Sequence, residues 1–525
     1  MRHRPCPVSI KSLFSSITNH TPIRTIRLLE EVNWRTAGNY ALGNCIIFFF
    51  MAAFVYAVKP QALFGILFVP AIFFVGSMLT FILMVQSGGV LAPLAWFILG
   101  SGIYFGLGAI FGGLRVHPYT EQLFGADILY LTQVNLLNAC SVLIVVGVAL
   151  AFGWWRGPIW QTQDGPSAQQ QSILLNTVFP FVLTVAIACA CLKLFFFPVA
   201  ENLLIRSIIG KLTLFLPACF LLLGMLWRSI KRPLKLVALT IFIIEISSGI
   251  LTFSKYQVLY TMLAFIAGLW INRSSWKFTL LVLSGMGFMF AMVNPLITLG
   301  RAHLAYDAQN TITTRIEILQ DACKALLEPS SIFLTKDLQP NTRVNLDEMK
   351  KPEEQVRAIG RRFEVSSIQG YLINEYNSDR SGNTLSNFWV TFIPRIVWPQ
   401  KPIITNFGGE LHKKYYNDPS QINSALAPTY SAEAYWNYGP FGVTLVSILL
   451  GLAIGWLTRY SFLAVYGTRS EYFIIAFPAA IWACFVESWL VSSYLGEFLI
   501  LVVVLLIARL FLEGWRFFKV KKYGC

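Results

Sequence analysis

Arg395 and Lys401 lie six residues apart in the run Ile393-Pro-Arg-Ile-Val-Trp-Pro-Gln-Lys-Pro402, which three prolines punctuate. Proline fixes its own φ at about −65° and pushes the preceding residue into an extended conformation, so both cations are held at a defined reach. That arrangement suits an anionic ligand. The planar guanidinium can hold two oxygens of one anionic group at once, while the ammonium adds a point charge. Upstream, Arg357 and Arg361 are four residues apart and share a helical face, with Arg362 beside them. They form a second candidate anion site, although Glu354 and Glu364 stand near enough to pair with them instead. Downstream, Glu433 has Thr429 and Asn437 on its own face if the segment is helical, and His412 and Glu410 are further groups able to take a proton. The segment from 299 to 440 has no Asp-x-Asp and no His, Cys and Asp cluster at metal-ligand spacing, so we expect a metal-independent site with no cofactor.

The rest of the chain must position these groups in or against a membrane. Of 525 residues, 56% are hydrophobic and 13% charged, and apolar runs of about twenty residues recur. Because lipid leaves no backbone group unpaired, such runs mean helices. The reading is an all-α polytopic membrane protein of about twelve transmembrane helices with one large external loop. Spans fall at roughly 40–59, 61–84, 88–113, 134–154, 174–197, 208–227, 233–252, 257–272, 277–298, 441–459, 471–490 and 494–514. The organisation is then a basic N-terminal segment (1–39), a nine-helix bundle (40–298), an external subdomain carrying the candidate site (299–440), three more helices (441–514) and a basic tail (515–525).

Net charge is +15, and its placement follows topology, so nucleic acid is not expected as a partner. Arg and Lys crowd before the first span, between the sixth and seventh (Arg228, Lys231, Arg232, Lys235) and after the last. The positive-inside rule therefore puts both termini in the cytoplasm and the 299–440 insertion outside. That insertion holds fifteen Lys and Arg and fifteen Asp and Glu, so it is locally neutral. Of nine cysteines only Cys323 lies in it, which leaves no disulfide framework there.

Smaller features add detail. Arg24 to Arg35 has the pattern of a short interfacial helix, with a solvated tail as the alternative. Gly100, Gly102, Gly106, Gly108 and Gly112 line the third span at a spacing that lets a neighbour approach closely. Glu245 and Glu487 are carboxylates inside predicted spans, open to either a proton-coupling role or a structural hydrogen bond. Within the insertion the periodicity predicts helices over 312–327 and 352–376, an irregular loop over 329–350, and an apolar aromatic stretch over 385–393 lying on the membrane surface.

The run Ile393 to Pro402, then Gly408-Gly409, then Glu433-Ala-Tyr-Trp-Asn-Tyr-Gly439 leading into a span, resembles the oligosaccharide repeat-unit polymerases, the Wzy-type O-antigen polymerases of bacterial envelopes. The resemblance is closest over about 390–442 and architectural elsewhere. It implies a C-type glycosyltransferase- or ligase-like fold in the bacterial inner membrane. The implied activity is polymerisation, at the outer face, of undecaprenyl-pyrophosphate-linked oligosaccharide units into O-antigen or exopolysaccharide. The implied partners are that lipid-linked substrate, membrane lipid, a chain-length regulator and a flippase. One departure is that no arginine of the insertion has glycine eleven positions on, as two periplasmic motifs of some members do.

Glycosyl transfer from a lipid pyrophosphate needs compensation of phosphate charge and a base for the acceptor hydroxyl. Arg361, Arg362, Arg395 and Lys401 suit the first role. Glu433 is the first choice for the second, with His412 and Glu410 as alternatives. Tyr415, Tyr430 and Tyr435 offer ring faces for sugars, or else belong to an interfacial aromatic belt. A ligase-like transferase shares nearly all these features. A lipid-linked oligosaccharide transporter is the rival from another class, and the absence of matched halves counts against it.

Overall fold

The computed structural model describes residues 34–58, 63–114, 129–155, 172–196, 215–271, 363–393, 427–466 and 469–523, with scattered single residues and short pieces between 277 and 320 and at 360, 398, 400 and 411. Among these residues the protein is all helical, the one β-type contact being an isolated antiparallel bridge between Thr429 and Glu487. The helices are α1 (Trp34–Val58), α2 (Leu63–Gln86), α3 (Pro93–Gly113), α4 (Leu129–Trp155), α5 (Phe179–Phe196), α6 (Phe215–Met225), α7 (Arg232–Leu251), α8 (Lys255–Ile271), α9 (Ser366–Asn377), α10 (Tyr430–Tyr466), α11 (Ala476–Cys484) and α12 (Gly496–Tyr523). Among the described residues seven helices are long and apolar enough to cross a bilayer, which makes this a multi-pass membrane protein.

These helices are apolar nearly all round, as membrane solvation requires. Phe50, Phe54, Ile243, Leu449 and Leu510 face outward, while Phe97, Phe105, Phe220 and Trp270 fill the interior. Small residues set the closest approaches. A Cβ on Gly268 of α8 would run into the carbonyl oxygen of Leu221 on α6, and one on Gly224 of α6 would meet that of Phe265. The glycines of α3 serve three neighbours: at Gly102 and Gly106 an added Cβ would strike Ser77 and Phe74 of α2. At Gly100 an added Cβ would strike the Cys484 carbonyl of α11, whereas at Gly108 and Gly112 it would strike Phe363 and Ser366 of the insertion. The packing role expected of this stripe thus extends to docking the insertion onto the bundle.

Two expected helices are broken. The run 471–490 is not one span: a 3-10 turn (Ser470–Ile474) precedes α11, and the chain leaves helical geometry at 485–489 before a π turn (Leu490–Leu495) opens into α12. The helix expected over 352–376 is interrupted at Glu364–Val365, and α9 starts afresh at Ser366. Glu364 causes this locally, because its Oε1 accepts the Ser367 N–H at 2.8 Å and so caps the new helix. Glu364 is buried, and burial raises its carboxyl above the ordinary range against the pull of the Ser367 and Ser366 hydrogen bonds.

At the far end of α7 from Arg232 and Lys235, Arg315 of the insertion donates from Nη1 to the Leu251 carbonyl at 3.3 Å. The basic connection and Arg315 therefore sit at opposite ends of a 20-residue helix. The 1–39 segment before Trp34, the 329–350 loop and most of the 277–298 span lie outside the described residues.

Candidate functional site

The segment Ala427 to Asn437 holds the site's central carboxylate. Thr429 caps α10: its Oγ1 accepts the Ala432 N–H at 3.2 Å, and its carbonyl accepts the Glu433 N–H at 3.0 Å. One turn on, Asn437 Nδ2 donates to the Glu433 carbonyl at 2.9 Å, so Thr429, Glu433 and Asn437 share the face that their four-residue spacing predicts. The helix then turns sharply. Gly439 has φ 58° and ψ −149°, a conformation open almost only to glycine, and Pro440 restarts the helix where its missing N–H is harmless.

Glu433 is fully buried, and both carboxylate oxygens accept a hydrogen bond. Oε1 takes the hydroxyl of Thr384, from the insertion, at 2.7 Å. Oε2 takes the N–H of Leu490, the first residue of the π turn leading into α12. A carboxylate at the start of a helix meets its unpaired N–H groups and positive dipole end, so Glu433 caps this helical run from another helix. Asn437 completes the link: Nδ2 also donates to Thr384 Oγ1 at 2.9 Å, and Oδ1 accepts the Leu385 N–H at 3.1 Å. The insertion, α10 and the break before α12 thus converge on one side chain.

A second buried polar node lies next to it. Gln369 of α9 and Asn138 of α4 exchange amide hydrogen bonds at 2.8 and 3.0 Å, and Gln369 Nε2 also reaches Thr429 Oγ1 at 2.6 Å. Ser431 donates to Asn138 Oδ1 at 3.3 Å. One turn along α4, Ser141 donates to the Tyr430 hydroxyl at 2.8 Å and pairs with Ser447 at 2.8 Å. Each such group would be expensive to bury alone, and together they tie α4, α9 and α10 to the site.

Tyr430 sits inside the bundle among Phe97, Phe105 and Tyr494, with ring centroids 6.3, 6.4 and 5.7 Å away. Tyr435 is half-buried, its ring edge-on to Tyr376 and its hydroxyl donating to Asn377 Oδ1 at 3.2 Å. Trp436 Nε1 donates to the Arg380 carbonyl at 3.0 Å, while Arg380 itself is paired with Glu375. Compared with known protein families, curated proteins and solved structures, the chain matches none.

The site's chemistry therefore rests on these residues. Glu433 binds a donor on each oxygen and fixes the relative positions of three segments. Arg361, Arg362, Arg395, Lys401, His412 and Tyr415 lie outside the described residues, as does Glu410. Of the intramembrane carboxylates, Glu245 is buried and accepts from Gln257 Nε2 at 2.8 Å, joining α7 to α8. Glu487 lies in the break after α11, bridged to Thr429. Sequence reasoning passed over Asn138, Gln369 and Thr384. The available signal was the run Thr132, Asn135, Asn138, Ser141, polar at every third position of an apolar span.

Proposed function

We propose that this chain is a glycosyltransferase that polymerises undecaprenyl-pyrophosphate-linked oligosaccharide units at the outer face of the bacterial inner membrane, without a metal. The observation that supports it best is the convergence on Glu433 of the polar insertion, the membrane-spanning α10 and the break before α12. A lipid pyrophosphate keeps its hydrocarbon in the bilayer and its sugars in water, so its site belongs at such a junction. In this reading Arg395 and Lys401, with Arg361 and Arg362, neutralise the pyrophosphate. Glu433 or His412 serves the acceptor hydroxyl, and Tyr415 and Tyr435 face sugar. The twelve-helix, C-type arrangement with cytoplasmic termini belongs to the same proposal. It is supported by the Lys and Arg asymmetry and by the separation of the basic connection from Arg315 along α7.

Surface glycan resolved on a gel tests the function. Cells lacking the gene should show single repeat units in place of a ladder, and normal-length polymer, or loss of the single units as well, would overturn it. Reporter fusions at 230 and 345 test the topology, and cytoplasmic signal at 345 would sink it.

A transporter is the second reading, supported by the interruption at 485–489 beside a buried polar node, a geometry that transporters use at their binding sites. It predicts that cells lacking the gene retain no single units on the outer surface.

A further inference from the structure

The 3-10 helix Leu385–Phe392 carries an aromatic ridge whose surroundings identify its partner. Its sequence, Leu-Ser-Asn-Phe-Trp-Val-Thr-Phe, sits in a stretch from 381 to 394 that contains no charged residue. Val390 points inward at 1% exposure, while Phe388, Trp389 and Phe392 stand about half exposed at 49%, 47% and 50%. Phe388 and Phe392 meet edge to face at 6.1 Å, and Trp389 stacks on Trp398 at 6.1 Å. An exposed aromatic ridge of this size without a single charge is unusual on a soluble surface.

Hydrogen bonds fix its depth. The Gly382 N–H donates to the Trp436 carbonyl at 2.9 Å and the Leu385 N–H to Asn437 Oδ1 at 3.1 Å, so the ridge starts level with Trp436 and Asn437. Just beyond, α10 turns at Gly439, and an outward apolar stripe begins with Phe441 at 72% exposure and continues through Leu445 and Leu449. The ridge also packs against the π turn at Leu490–Leu495 and against α12, whose Val503, Leu506 and Leu510 face outward in the same way. It is therefore continuous with the outward stripe of α10 at the end where that stripe stops, and it packs beside the start of α12.

We propose that Leu385–Phe392 is an interfacial anchor that lays Phe388, Trp389 and Phe392 into the headgroup and upper acyl layer of the bilayer, holding the insertion down over the Glu433 site. Aromatic side chains with polar neighbours favour that layer, and the exposed Ser386 suits its wet side. The inference stands on the spans alone and does not need the glycosyl-transfer reading.

The test uses the full-length protein in nanodiscs of phosphatidylcholine and phosphatidylglycerol, with acyl chains brominated either near the headgroup or near the terminal methyl. The emission lost in Trp389→Phe reports on Trp389, and the emission gained in Phe392→Trp reports on the neighbouring exposed position should Trp389→Phe fail to fold. Both should be quenched at least twofold more by the shallow bromines than by the deep ones, and hardly by iodide in the water. Quenching by iodide without an effect of brominated lipid would mean that the ridge faces solvent, as a sugar-stacking surface would, and would overturn the proposal. So would strongest quenching from the deep bromines. Protection from every quencher, in particles holding two copies of the chain, would assign the ridge to a protein interface instead.

Discussion

Replacing Glu433 separates holding the fold from doing chemistry. Glu433→Ala strips the acceptor from the Thr384 hydroxyl and from the Leu490 N–H, both in a fully enclosed setting. Hydrogen bonds to a charged group contribute ~1.5–3 kcal/mol each, and the abandoned donors are left unsatisfied, so the loss should reach ~3–6 kcal/mol. Glu433→Gln is milder. Its carbonyl can take the Leu490 N–H while its amide donates to Thr384 Oγ1, whose proton must then turn elsewhere, at a cost of about 1–2 kcal/mol. Unfolding of the purified protein in detergent, followed by heat or by titration with a denaturing detergent, should rank wild type above Gln and Gln well above Ala. An Ala variant within about 0.5 kcal/mol of wild type, as ordinary surface substitutions are, would refute the reasoning that Glu433 joins the three segments. The Gln variant also addresses the chemistry: if Glu433 accepts the acceptor's proton, Gln leaves a folded protein that makes no glycan ladder, whereas a normal ladder excludes Glu433 as the base.

Gly439→Ala should destabilise the α10 turn by ~1–3 kcal/mol, since φ 58° with ψ −149° is strained for any Cβ and that Cβ would press on the Tyr376 hydroxyl; unfolding in detergent reads it. Gly268→Ala should cost ~1–3 kcal/mol by forcing α8 off the Leu221 carbonyl of α6, and an unchanged unfolding midpoint would deny that close contact. Glu364 binds its proton more tightly folded than unfolded, so its contribution to stability is fullest below its ordinary value of about 4.5 and falls as pH rises through the raised folded value. Stability measured across that window should decline with pH in wild type and decline less in Glu364→Gln. Arg395→Lys should shorten or abolish glycan polymer at matched protein level, because lysine keeps the charge but not the two-pronged grip, and full-length polymer would remove Arg395 from the phosphate site.

Apolar length made the membrane helices legible, and the four-residue spacing of Thr429, Glu433 and Asn437 located the face on which Glu433 lies. Both signals are local. The interruption at 485–489 was not legible, because Phe485 and Val486 are as apolar as any helical residue and what holds the chain open there is Thr429 and Glu433, more than fifty positions earlier. The restart of α9 had a faint cue in Ser366-Ser367 after Glu364, overridden by a helical period that runs straight through it. The Asn138 and Gln369 pair joins residues 231 positions apart, a matching that no window along the chain can reveal.

The turn at Gly439 makes the first part of α10 a phase-locked arm. A helix advances about 100° per residue, so the compass bearing of the Glu433 carboxylate is fixed by the count of residues between it and the turn. Adding or deleting one there would swing the carboxylate about a quarter-turn away from Thr384 and Leu490 alike. The six steps from Glu433 to Gly439 hold that alignment, and their number cannot change without losing it.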